Sequence, residues 1–212
     1  MRRSVSPDDG HIVDTVVLLY FLLVDKIELL CDLIGRPLQV PVAVYDPEDR
    51  TSSTGTLPRP ELLSEMRRSV RHYELLTASG GDTVSLRRVA QIDSLYDDAV
   101  LKTISMSSQE QGLAAQLQST GAGNFGLRIP LGPGEAACIA ISLHRGWTIV
   151  TDDTDAFRVL DRFHGGSDYP FERIRKLLIR AAGEHLISAL EANRIHAEMR
   201  TRGFWDSGIP FP

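Results

Sequence analysis

His11-Ile12-Val13-Asp14-Thr15, running into Val16-Val17-Leu18-Leu19-Tyr20-Phe21-Leu22-Leu23-Val24, decides how this chain is read. His11 to Asp14 predicts a short buried strand ending in a carboxylate. The apolar stretch 16–34 is far too long for one strand. It predicts one or two helices, with a break near Asp25 and an end at Gly35. Working outward, Leu38-Gln39-Val40 predicts a second strand closed by Pro41, and 46–60, rich in Thr, Ser, Pro and Gly, a loop. Residues 61–76 and 86–101 read as amphipathic helices, 105–119 as a weaker one, and 121–126 as a loop. A helix is expected over 134–144 with an Ala/Ile/Leu face, then a strand over 147–151 ending in Asp152, Asp153 and Asp155. Two further helices are expected over 171–182 and 188–202. Alternating strands and helices predict an α/β architecture with a mainly parallel sheet.

The chain has 212 residues and a net charge of −5, with 42% hydrophobic and 24% charged residues. At roughly 150 residues per domain this is one domain, and the composition excludes a disordered chain or a fibre. The acidic balance argues against a protein that coats nucleic acid electrostatically, though not against an enzyme that grips a short stretch of it. Met1-Arg2-Arg3 before an apolar run imitates a signal peptide, but acids interrupt it and no small-residue cleavage site follows. The run is also shorter than the ~20 residues that span a bilayer. The expectation is a cytoplasmic protein without a membrane partner. Cys31 and Cys138, far apart and in apolar surroundings, are expected to be buried free thiols.

Ligands of parallel sheets sit at the carboxyl ends of strands. Asp14 and Asp153 each end an expected strand, and Glu135 opens a helix after Gly132-Pro133-Gly134. Each acid alone has a plainer reading: Asp14 as a helix cap, Glu135 as a charge favourable to a helix dipole, and Asp152, Asp153 and Asp155 as an acidic turn. Their joint placement favours a common pocket. Carboxylates in one pocket repel unless their pKa values rise or a cation sits between them. An oxygen-only set suits Mg²⁺ or Mn²⁺ rather than Zn²⁺. A carboxylate-held ion pair is suited to phosphodiester hydrolysis. The chain has no nucleophile elbow and no phosphate-binding Gly-rich loop.

Ile12-Val13-Asp14-Thr15, Gly132-Pro133-Gly134-Glu135-Ala136 and Thr151-Asp152-Asp153-Thr154-Asp155, in this order, resemble the pattern of PIN-domain nucleases. Val40-Pro41-Val42-Ala43-Val44-Tyr45 is similar to the second-strand region of a PIN subfamily related to VapC-type toxins. Leu177 to Ala181 and the Arg200-Thr201-Arg202-Gly203-Phe204-Trp205 tail resemble that subfamily's C-terminal helices. The resemblance covers about residues 11–50 and 127–207. It implies a PIN-like three-layer α/β/α sandwich with a helical insertion at about 51–126, between tails at 1–10 and 208–212. It also implies a Mg²⁺- or Mn²⁺-dependent endoribonuclease, the toxin of a toxin–antitoxin pair, with RNA as substrate, a small antitoxin as partner, and a homodimer as a possible assembly. Asp14, Glu135 and Asp153 would hold metal, Asp155 would be a fourth ligand or supporting acid, and Thr15, Thr151 and Asp152 would support them.

One departure stands out. The family places a Glu shortly after the Val-Pro pair, and that position falls at about Pro47, between Asp46 and Glu48. Asp46, nearer the strand end, is the expected substitute, with Glu48 as the alternative. If neither serves, the pocket has three acids. The competing functions are a non-catalytic PIN-like module that binds protein or RNA, and a PIN-like DNase. Arg67, Arg68, Arg71, Arg87 and Arg88 mark either solvated helix faces or contacts to RNA.

Overall fold

The computed structural model describes residues 10–50, 63–164 and 169–205. Apart from Gly10, the expected tails, and most of the expected 46–60 loop, lie outside the described residues. Among the described residues five short strands, β1 (His11–Val13), β2 (Leu38–Pro41), β3 (Leu101–Ile104), β4 (Thr148–Val150) and β5 (Phe171–Glu172), pair in parallel. β1, β4 and β5 form one sheet and β2 and β3 another, with β2 lying alongside β1. The order across is therefore β3-β2-β1-β4-β5. The register sets Val13 opposite Val150, and Val150 opposite Glu172. The chain first moves outward from β1 to β3, then returns to the other side of β1. The reversal falls between β1 and β4, and the carboxyl ends of strands beside such a reversal form a crevice.

The helices are α1 (Thr15–Leu23), α2 (Ile27–Ile34), α3 (Glu65–Ala78), α4 (Thr83–Ala90), α5 (Ile92–Asp97), α6 (Ser108–Leu117), α7 (Pro133–Arg145), α8 (Thr154–His164), α9 (Ile174–Gly183) and α10 (Ala189–Thr201). α7 packs on β1, β2 and β4, flanked by α6 and α8. α1 contacts α2, α3, α4 and α10, and α9 packs on α2. These two groups are consistent with helices on both faces of the strands. The apolar character of α1 follows from its place inside the second group: Val17, Leu18, Phe21, Leu22 and Leu23 are all buried. Asp25, at φ 56°, breaks α1 from α2. Pro133 starts α7 and Gly146, at φ 68°, ends it, the positions those residues favour. Arg88 donates to the Leu23 carbonyl and pairs with Glu198 at 3.2 Å, tying α4 and α10 to the end of α1.

Several expectations need correction. The helix expected over 86–101 is α4 and α5 followed by the start of β3, with Ala99 at φ 55° turning the chain between them. Residues 63–126 carry β3 as well as α3–α6, so that part of the expected helical insertion supplies an outer strand. Phe171 and Glu172 form β5 rather than the start of a helix, and α8 adds a helix before them. Cys31 and Cys138 are buried free thiols as expected. No helix among the described residues is long and apolar enough to cross a membrane.

Candidate active site

Asp14 leaves β1 with its N–H on the Val150 carbonyl at 3.0 Å and becomes the cap of α1. Its Oδ1 accepts the Thr15 N–H at 2.7 Å, and its Oδ2 accepts the Thr151 hydroxyl at 2.8 Å. The capping reading holds for this side chain, which also reaches across to the end of β4. Thr151, fully buried just after β4, also accepts the Asp153 N–H at 3.1 Å. Asp153 in turn accepts the Asp155 N–H at 2.7 Å, which fixes its carboxylate over the first turn of α8. One hydrogen-bonded path thus runs from the end of β1, across the end of β4, to α8.

Glu135 enters from the first turn of α7, and a fourth carboxylate enters from α3. The first N–H groups of α3 are held by the chain just beyond β2: Glu65 N–H donates to Ala43 O at 3.0 Å and Met66 N–H to Val44 O at 2.9 Å. The Glu65 carboxylate accepts the Thr15 hydroxyl on one oxygen and the Gly134 N–H on the other, the latter at 2.9 Å. It bridges the first residues of α1 and α7. Gly134 lacks a side chain for this reason: a Cβ there would overlap the Glu65 carboxylate and lie 3.0 Å from Val44 Cγ2.

These acids act on one another's ionisation. Asp14 is pushed up to about 7, chiefly by burial, with the charges of Glu65 and Asp153 adding and the bonds from Thr151 and Thr15 opposing. Glu135 is pushed up to about 9, again first by burial, then by the charges of Asp153 and Asp14. Its Oε1 is buried with no hydrogen-bond partner. Beneath the pocket the Cys138 thiol, raised by burial and then by the charge of Asp14, donates to Val13 O at 3.6 Å.

The structure brings Asp14, Glu135 and Asp153 to one crevice, with Thr15 and Thr151 as their supports. Asp46 is a correction: its carboxylate accepts the Glu48 N–H at 2.9 Å and caps the 3-10 turn Pro47–Asp49, and Glu48 belongs to that turn. Neither takes the position opposite Thr15, which Glu65 holds. Asp155 pairs with Arg158 at 2.5 Å and reaches the pocket only as a minor charge on Glu135. Asp152 accepts the Ile174 N–H at 2.8 Å and helps start α9. Glu65 escaped sequence reading because the expected acid was sought close after Pro41. The available signal was Leu63-Ser64-Glu65-Met66, where Ser64 in the cap position and Glu65 in the first turn announce a helix start.

Among the described residues no three His, Cys, Asp or Glu side chains form a ready ligand set for a metal ion. Asp14 and Glu65 turn instead to hydroxyl and N–H donors, and a proton relieves the repulsion at Glu135. The donor chemistry still fits a hard divalent cation, because a buried carboxylate oxygen without a partner and carboxyls raised by burial and by one another's charge are what such an ion relieves. Comparison with family models, with characterised proteins and with solved structures finds no match.

Proposed function

We propose that the chain is a PIN-like endoribonuclease that hydrolyses RNA phosphodiesters with Mg²⁺ or Mn²⁺, and that it acts as the toxin of a toxin–antitoxin pair with a small antitoxin as its partner. The reading is carried by the convergence of Asp14, Glu65, Glu135 and Asp153 where the strand order reverses, together with the resemblance of the motifs that bear three of them. Asp14, Glu135 and Asp153 would hold the metal, with Glu65 completing the acidic wall. A divalent ion bound there supplies charge stabilisation for attack of water on phosphorus. Thr151 sets the Asp14 carboxylate and the Asp153 backbone in one frame. Thr15 and the Gly134 N–H set Glu65. Positive charge in the site would lower the raised pKa of the Glu135 carboxyl, whose Oε1 is buried without a hydrogen-bond partner. The non-catalytic alternative was motivated by Pro47; with Glu65 present, a proline there no longer implies a missing acid.

The test is cleavage of single-stranded RNA by the purified protein. Activity is expected with Mn²⁺, stops in EDTA, and is abolished by Asp153→Asn while the circular dichroism spectrum is unchanged. A well-folded protein that cleaves no RNA with any divalent metal overturns the reading. Cleavage of single-stranded DNA alone transfers it to a DNase.

A further inference from the structure

Two clefts meet at Arg68, one helical turn beyond Glu65 on α3. One, of about 440 Å³, lies between α1 and α3 and is lined by Thr15, Leu19, Ser69, His72 and Tyr73. The other, of about 300 Å³, is lined by Val42, Ala43, Asp46, Leu63, Ser64 and Pro133 on the side of β2 and α7. Arg68 borders both, as the guanidinium nearest the acidic wall.

Two nearby arginines are committed elsewhere. Arg67 closes on Asp93 at 2.5 and 3.1 Å, and Arg50 on Asp97 at 2.7 Å. Arg68 differs: its ion pair to Glu65 spans 3.7 Å, beyond hydrogen-bond length, and its side chain is 42% exposed. Beside it the rings of His72 and Tyr73 meet edge to face with centroids 5.6 Å apart. His72 is exposed and Tyr73 is half-buried, packed against the core.

The chemistry of a polyanionic substrate explains this placement. Four carboxylates at the point of cleavage, in a chain of net charge −5, repel nucleic acid. A cation held among the acids would compensate for the phosphate being cut, whereas the neighbouring phosphate would still need a counter-charge. An arginine fork suits a phosphate, and two aromatic rings in an open cleft, His72 exposed and Tyr73 half-buried, suit an unstacked base rather than a duplex.

We propose that Arg68 binds the phosphate adjacent to the scissile one, and that the cleft between α1 and α3 takes the base of that nucleotide against Tyr73 and His72. The site therefore selects single-stranded RNA. This inference rests on the nuclease reading.

The test uses the full chain carrying Asp153→Asn, which does not cut, and a fluorescent single-stranded RNA eight nucleotides long, with binding followed by anisotropy. Adding Arg68→Ala weakens binding about tenfold and lowers the salt slope by about 0.7, the value for one phosphate on a single strand. Arg68→Lys recovers the slope but only part of the affinity. Tyr73→Ala weakens binding about fivefold or more with the salt slope unchanged. Where Tyr73→Ala melts early, Tyr73→Leu keeps the apolar bulk without the ring and shows the same loss. Lys102→Ala, on the exposed edge of β3, changes neither quantity. In the cleaving protein, Arg68→Ala raises KM more than it lowers kcat. If the wild type cleaves RNA while Arg68→Ala and Tyr73→Ala behave like Lys102→Ala, the cleft is overturned and the nuclease stands. If RNA is bound with the stated Arg68 and Tyr73 dependence but never cut, the cleft stands and the nuclease falls. Neither binding nor cleavage overturns both, and duplex RNA bound as tightly as single strand overturns the base site.

Discussion

Thr151 carries no charge, yet it touches two of the acids at once, donating to Asp14 and accepting from the backbone of Asp153. Thr151→Val removes that donor while keeping the shape of the side chain. Cleavage is expected to fall about 10- to 100-fold, the usual cost of losing a partner that orients a ligand, and Thr151→Ser recovers most of it. A steady-state assay with matched thermal melts checks this. Glu65 and Asp46 give a paired prediction. Glu65→Gln reduces cleavage at least as much as Thr151→Val, whereas Asp46→Asn leaves activity within about twofold, since Asn also caps. An unaffected Glu65→Gln enzyme would remove Glu65 from the site. Asp14, Glu135 and Asp153 were legible because each sits at a boundary that sequence marks: a β-forming triplet before an apolar run, a Gly-Pro-Gly turn, and a strand before an acidic cluster. Glu65 was not, because nothing local tells that a helix more than twenty residues beyond Pro41 returns to the carbonyls of Ala43 and Val44.

At the scale of elements, the approach of α3 to α7 turns on Gly134. On an ordinary helix Gly→Ala gains roughly 1 kcal/mol. Here the added methyl meets Glu65 and crowds Val44, so Gly134→Ala is expected to lower both activity and melting temperature. In a Glu65→Ala background the same change is much less damaging. The difference, measured as a double-mutant cycle by denaturant unfolding, should be about 0.5–3 kcal/mol. Additive effects would mean that the two residues do not meet. The long elements were the readable ones: α1, α2 and α7 have apolar runs with clear ends. The short outer strands were not. Leu101-Lys102-Thr103-Ile104 follows directly on two amphipathic helices, and Phe171-Glu172 runs into the apolar periodicity of α9, so helix periodicity masks both. Pairing with β2 and β4 makes them strands, and pairing is a tertiary fact.

For the whole molecule, the pocket imposes a pH dependence with a defined sign. Asp14 at about 7 and Glu135 at about 9 lie above the values near 4 of an unfolded carboxyl. The folded state binds these protons more tightly, so the stabilisation is complete below about pH 4 and is lost as pH rises through 7 and then 9. Glu110 works in the opposite direction. Its bonds to Arg145 hold it down at about 2, so its stabilisation is present above about pH 4.5 and lost as pH falls towards 2. The metal-free protein should therefore be most stable near pH 4–4.5, and its melting temperature should drop by about 5 °C or more at pH 9. Mn²⁺ should remove most of that alkaline loss by binding the folded state, and Asp14→Asn should reduce both the loss and the rescue. Equal alkaline loss with and without Mn²⁺ would separate the acids from metal binding.

The hold of the Ala43 and Val44 carbonyls on the first turn of α3 has a consequence for how such a chain can change over generations. Position in space at Glu65 is set by those two hydrogen bonds, and the Asp49 carboxylate, which accepts the Ser64 N–H at 2.5 Å, draws the two ends of the intervening segment together. The position of the carboxylate then depends on these contacts rather than on the number of residues between Asp49 and Ser64. Spacing along the chain becomes free to drift while the geometry stays fixed. An acid that a ruler laid on the sequence would place at Pro47 is found at Glu65, and descendants of this chain could carry it at still other distances with the same pocket intact.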